Sequence, residues 1–100
     1  MGLVKRFMVY EVQVDDAVKP CVVISPDELN NVLPYVMVAP VTSKVRTLPY
    51  RVIIEMKGRD AQIALDQIRT RPKSDFIRKL GRLPEECQAE IMSVLRQMFE

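Results

Sequence analysis

The amino-acid sequence predicts a mainly β fold: an antiparallel sheet closed as a small barrel or strongly bent, with short helices and an amphipathic helix at the end. Three observations lead there. Short apolar or alternating runs recur between turn residues at roughly the 8- to 12-residue spacing of small all-β folds. No βαβ rhythm interrupts them. The apolar period changes from two to 3.6 only in the last segment, beyond Pro84. At 100 residues the chain is expected to form one domain, 1–100, able to bury roughly two thirds of its unfolded surface around one modest core.

Each element has its own justification. Residues 7–14, FMVYEVQV, place Met8, Tyr10, Val12 and Val14 on one face and Glu11 and Gln13 on the other, as a half-buried strand does. Asp15 and Asp16 mark a turn, and the β-branched run 21–24, CVVI, suits a strand buried on both faces, so the two are expected to pair as a hairpin. Ser25-Pro26-Asp27-Glu28 reads as a helix start, with Ser25 as N-cap, Pro26 at the first helical position and Glu28 closing a capping box. Asn30, Asn31 and Pro34 keep that helix short. Residues 35–41 make the next strand, with Pro40 where a missing donor is tolerated, at an edge or a bulge. The run 51–56, RVIIEM, follows the Pro49 break and ends in a polar turn over 57–60, and 62–65, QIAL, is a further short strand. A brief helix is expected over 74–80, ended by Gly81. From Pro84, residues Cys87, Ile91, Val94, Leu95, Met98 and Phe99 fall on one helical stripe, with Glu85 and Glu86 at the positive end of the helix dipole.

Composition excludes several function classes. No apolar run approaches the roughly 18 residues of a membrane span and no signal-peptide pattern follows the basic start, so a cytoplasmic protein without a membrane partner is expected. Cys21 and Cys87 are too few and too far apart for a disulfide framework or a zinc site and read as reduced core thiols. Histidine is absent, which removes the commonest acid/base group and any Ser–His or Cys–His nucleophile. With Gly2, Gly58 and Gly81 as the only glycines there is no glycine-rich phosphate loop, nor is there EF-hand spacing, so no cofactor and no metal are expected.

The net charge of +2 hides a polarised distribution: residues 1–40 sum to −2, residues 41–82 to +7 and residues 83–100 to −3. A positive middle flanked by acidic ends either forms a face towards a phosphate backbone or is simply a solvated surface. Three segments carry more polar chemistry than a core needs. Pro40-Val41-Thr42-Ser43-Lys44 delivers two hydroxyls and a cation at a strand end, where hydroxyls also serve to cap turns. Asp66-Gln67-Ile68-Arg69-Thr70-Arg71-Pro72 combines a carboxylate, an amide that can read base edges and two guanidiniums that can fork onto phosphate, or forms a surface loop held by an Asp–Arg pair. Lys19-Pro20 precedes the buried run. Tyr35 and Tyr50 are either base-stacking platforms or rim residues.

KPCVVISPDELN (19–30), VAPVTS (38–43), LDQIRT (65–70) and LGRL (80–83) before the amphipathic helix resemble, in order and spacing, the MazF/PemK toxins of toxin–antitoxin modules. The resemblance implies an SH3-like antiparallel β-barrel with a C-terminal helix, a homodimer and a cognate antitoxin. It implies a metal-independent endoribonuclease on single-stranded RNA, in which the ribose 2′-hydroxyl attacks the adjacent phosphate to leave 2′,3′-cyclic phosphate and 5′-hydroxyl ends. Carried onto this chain and its basic segments, it makes Lys19, Thr42 and Asp66 the catalytic set and Ser43, Lys44, Gln67, Arg69 and Arg71 the RNA contacts. The chain departs from the family pattern in a first loop reduced to 14–18, in Lys19 where the family has an arginine, and in Ala64 where some members have a second. Two alternatives remain open: a family member that binds RNA or antitoxin without turnover, and a CcdB-like gyrase poison of the same fold, against which LDQIRT argues.

Overall fold

The computed structural model describes residues 3–100. In chain order the elements are β1 (Met8–Val14), β2 (Ala17–Val23), α1 (Asp27–Val32), β3 (Tyr35–Thr42), β4 (Arg51–Met56), β5 (Arg59–Ala64), β6 (Arg69–Pro72), β7 (Phe76–Arg82) and α2 (Glu85–Met98), with 3-10 turns at Leu65–Gln67 and Lys73–Asp75. All strand pairs are antiparallel, in the order β4-β5-β3-β2-β1-β7, with β6 beside β3. The expected bent, mainly β architecture with a C-terminal helix is the one observed.

β3 is the hub. One edge pairs with β2; the other pairs first with β6, from Tyr35↔Pro72 to Val38↔Arg69, and then with β5 at Val41↔Ile63 and Thr42↔Gln62. Pro40 therefore sits not at a sheet edge but at the seam between β6 and β5, where that side of β3 has no partner strand to miss its N–H. β6 and β7 follow one another through Lys73–Asp75 yet lie beside β3 and β1, so the chain itself forces the five strands to curl into a half-barrel.

The core lies on both faces of this curl. Tyr10, Val12, Val14, Cys21, Val23, Val36, Val38 and Phe76 fill one side, with the Tyr10 and Phe76 rings edge-on at 5.2 Å. Val9, Val22, Ala39 and Val41 face the other, packed with β4, β5 and Ile91 of α2. The alternation read in 7–14 thus holds, and the β-branched run of β2 is buried on both faces as expected. Fully burying a side chain such as Ile91 contributes about 1.5–3 kcal/mol, and Cys87, Val94, Leu95 and Met98 extend its stripe. Phe99 does not join it: it caps the helix end at 77 % exposure.

Four local expectations are corrected. Ser25 is not an N-cap: it is buried, its Oγ donates to Asn30 Oδ1 at 2.5 Å and accepts from the Met37 N–H at 3.0 Å, while Asn30 Nδ2 returns to the Ser25 carbonyl. The capping box is likewise unmade, because α1 begins without a side-chain cap. The strand 62–65 is longer and ends earlier, as β5 over Arg59–Ala64, because Lys57 and Gly58, at φ 52° and 77°, form a two-residue hairpin turn that leaves Arg59 opposite Met56. The helix expected over 74–80 is β7: register shifts against β1 leave Ile77 and Leu80 outside the ladder, and those bulges produce the helix-like spacing of Phe76, Ile77 and Leu80.

Candidate functional site

At the seam of β3 and β5 the backbone leaves a cleft of about 390 Å³. β2 contributes Lys19 to it, the end of β3 contributes Thr42, the following turn Ser43 and Lys44, and the 3-10 turn Gln67. Five of the expected site residues, from three separate stretches of sequence, therefore meet. Pro40, Val41 and Ala64 give it an apolar floor.

Thr42 makes the turn contact and also lines the cleft. Its Oγ1 accepts the Lys44 N–H at 3.2 Å, closing the turn, which leaves the hydroxyl proton uncommitted in that bond.

Two cleft cations were not singled out from sequence: Arg46 and Arg51. Arg51 heads β4 directly opposite Ala64, whose small side chain leaves room beside it on the same face. It follows Tyr50, which has φ 62°, a left-handed conformation uncommon for an aromatic residue. Its guanidinium forks onto Asp66, Nε to Oδ1 at 2.7 Å and Nη2 to Oδ2 at 3.1 Å, and Nη1 donates to Gln62 Oε1 at 3.3 Å. Gln62 is buried, and its amide also holds the loop 43–50: Oε1 accepts the Arg46 N–H at 3.2 Å and Nε2 donates to the Arg46 carbonyl at 2.7 Å. The signals were a guanidinium heading the apolar run 52–54 and an amide buried next to Ile63, both readable only once β4 and β5 are paired.

Asp66 makes an Asp–Arg pair, one of the two readings its segment left open, with Arg51 as the partner. It is not among the cleft-lining residues, both its oxygens are engaged by Arg51, and those hydrogen bonds outweigh desolvation to hold its carboxyl below the ordinary carboxylate range. An ionised carboxylate occupied in this way orients a cation more readily than it carries a proton. Arg69 and Arg71 also lie outside the cleft. Arg69 makes a long, exposed ion pair with Asp15 at 3.5 Å, and Arg71 is half-buried and paired with Asp75 where the chain turns into β7. Tyr35 and Tyr50 are exposed at 45 % and 42 %, while Tyr10 is core.

The lining thus holds four cationic side chains, two hydroxyls and an amide, and no carboxylate. Such a surface suits an anion of extended shape, whose oxygens accept from every group presented. Among the described residues no group of three or more carboxylates or thiols is arranged to hold a metal ion. Cys21 is fully buried, and burial pushes its thiol up to about 11. Cys87 is half-buried and also raised, by desolvation and by the neighbouring Glu90 and Glu86. Both thiols are free.

Residues 5–99 match the family model described as PemK-like, MazF-like toxin of type II toxin–antitoxin system. No curated protein sequence matches the chain. Among solved structures, MazF from Deinococcus radiodurans superposes with a TM-score of 0.84 at 19% identity, over 99% of this chain and 98% of that one. The Mycobacterium tuberculosis toxin MazF-mt6 gives 0.82 at 22% identity, over 92% and 95%. An endoribonuclease from a mycobacterial species, solved in complex with its cognate antitoxin, gives 0.83 at 20% identity, over 97% and 93%. At these identities the superpositions establish a shared fold.

Proposed function

The chain belongs to the PemK-like, MazF-like toxin family of type II toxin–antitoxin systems, and from that premise we propose that it is an endoribonuclease that cleaves single-stranded RNA in the Lys19–Thr42 cleft. One observation carries the reading: Lys19, Lys44, Arg46 and Arg51 line one cleft with Thr42 and no carboxylate is among the lining residues, a composition that suits a phosphodiester. In the proposed step the ribose 2′-oxygen forms a bond to phosphorus as the bond to the 5′-oxygen breaks. The 2′-proton passes to solvent, the 5′-oxygen takes one up, and 2′,3′-cyclic phosphate and 5′-hydroxyl ends result. The cations stabilise the charge that grows on the phosphorane, where fixed donors contribute most. Thr42 donates to a non-bridging oxygen, and Ser43 and Gln67 hold the flanking nucleotides. Lys19 supplies a point charge rather than a planar fork.

The mycobacterial structure solved with its antitoxin supports an antitoxin as the partner of this chain, and a segment rich in carboxylates complements the basic cleft. A homodimer is part of the same reading: Met37 and Phe99 are exposed beside Leu95 and Met98 on an apolar hollow of about 500 Å³.

A second reading is favoured by the absence of any proton-accepting carboxylate from the lining: a protein that binds RNA or antitoxin without turnover. The two are separated by incubating the purified protein with mixed-sequence single-stranded RNA in excess EDTA and mapping the product ends. Cyclic phosphate ends are expected, lost in Thr42→Ala. Saturable binding without cutting by a folded protein would transfer the assignment to the second reading.

A further inference from the structure

We infer that Arg51 is a preformed fork for one phosphodiester of the bound RNA, with Asp66 and Gln62 as its positioning residues. The inference deepens the RNA-cleaving reading and rests on it. A guanidinium carries five N–H donors in a fixed plane. Three are spent inside the fold: Nε and one Nη2 proton on Asp66, and one Nη1 proton on Gln62. The remaining two, one on each terminal nitrogen, have no partner among the described residues, and Arg51 lines the cleft. A pair of donors on the two terminal nitrogens matches two oxygens of a phosphate group.

The surroundings fix this orientation. The Arg51 side chain is only 8 % exposed, anchored on both flanks, so little freedom is lost when it meets a ligand. Lys19 and Lys44 are exposed, with no salt bridge or side-chain hydrogen bond among the described residues. Asp66 offsets part of the Arg51 charge and fixes its plane, so the fork adds directional hydrogen bonding to the attraction of the cleft cations. Asp66 therefore acts through Arg51.

The test compares wild type with Arg51→Lys and Arg51→Gln in single-turnover cleavage of an RNA oligonucleotide. Binding of its 2′-deoxy counterpart is measured in parallel, with melting curves to confirm folding. Arg51→Lys keeps the charge and loses the fork: cleavage is expected to fall about a hundredfold, the usual scale for removing a preorganised donor, while binding changes much less. Lys79→Ala, exposed on β7 outside the cleft, is expected to leave both unchanged. Asp66→Asn distinguishes positioning from proton transfer: its rate is expected to drop by one factor across pH 5 to 9, whereas a proton-carrying Asp66 would lose a limb of the pH profile. A cleaving wild type with folded, equally active Arg51→Lys and Arg51→Gln overturns the inference alone. A wild type that neither binds nor cleaves RNA overturns the underlying reading with it.

Discussion

Gln62→Leu isolates the link between the core and the cleft. The substitution keeps roughly the same volume in a buried position and deletes an amide that makes three hydrogen bonds, two to the Arg46 backbone and one to Arg51. Among the described residues, the other hydrogen bonds of loop 43–50 to the backbone are local, Lys44 to Thr42 and Leu48 to Arg46, so the Gln62 amide is what ties its backbone to the sheet. Each such bond contributes about 1 kcal/mol net, and Arg46 is exposed enough for water to replace what is lost. Global stability should therefore change by no more than about 1–2 kcal/mol, offset in part by the apolar side chain gained. Local opening of the loop should become easier by the two backbone bonds, about 2 kcal/mol or roughly thirtyfold in its equilibrium. Hydrogen exchange followed by mass spectrometry reads this directly: faster exchange over 43–50, with α2 as the internal reference. Unchanged exchange in the loop of a folded variant would show that Gln62 does not anchor it.

Further predictions follow from the same geometry. Thr42→Ala should lower RNA cleavage by about a hundredfold with an unchanged melting temperature, because the half-exposed side chain makes one turn contact; Thr42→Ser should restore most of the rate. Asp66 titrates below its ordinary 3.8 because of Arg51, so its stabilising contribution is present above the unfolded value and lost as pH falls through the lower folded one. Carboxyl NMR should show a midpoint below 3.8, returning towards it in Arg51→Gln. For Cys21 the sign is opposite: the folded thiol is raised from 9.0 to about 11, so its contribution is complete below the unfolded value and lost as pH rises across that interval. The urea midpoint of wild type should fall over this range more than that of Cys21→Val. Ile91→Ala, at a fully buried position joining α2 to the core, should cost about 2–5 kcal/mol in urea unfolding.

Elements whose signal is local were legible in the sequence. The alternation of Met8–Val14, the β-branched run 21–24 and the helical stripe from Cys87 need only their own periodicity, and they appear where expected but for Ile24, buried just beyond the end of β2, and Phe99, exposed at the end of α2. β6 and β7 were not legible because their reason is non-local: a four-residue strand, RTRP, is specified by β3, and the spacing of Phe76, Ile77 and Leu80 by bulges against β1. The cleft divides the same way. Lys19, Thr42, Ser43 and Gln67 lie in motifs with a recognisable order, Lys44 directly follows one, and the fold brings the five together. The fork of Arg51 onto Asp66 spans 15 positions and depends on the β4–β5 register, so a carboxylate that looks catalytic in LDQIRT is found holding an arginine that looks like a strand start.

The central claim, that the cleft cleaves RNA through the ribose 2′-hydroxyl, is tested most directly with an oligonucleotide carrying one 2′-deoxy sugar at a mapped cleavage site. The account predicts that the substituted strand binds as the all-ribose strand does and is not cut at that bond, while the all-ribose strand yields a 2′,3′-cyclic phosphate there in excess EDTA. Continued cutting at the deoxy position, or no cutting of either strand by the folded protein, would contradict it.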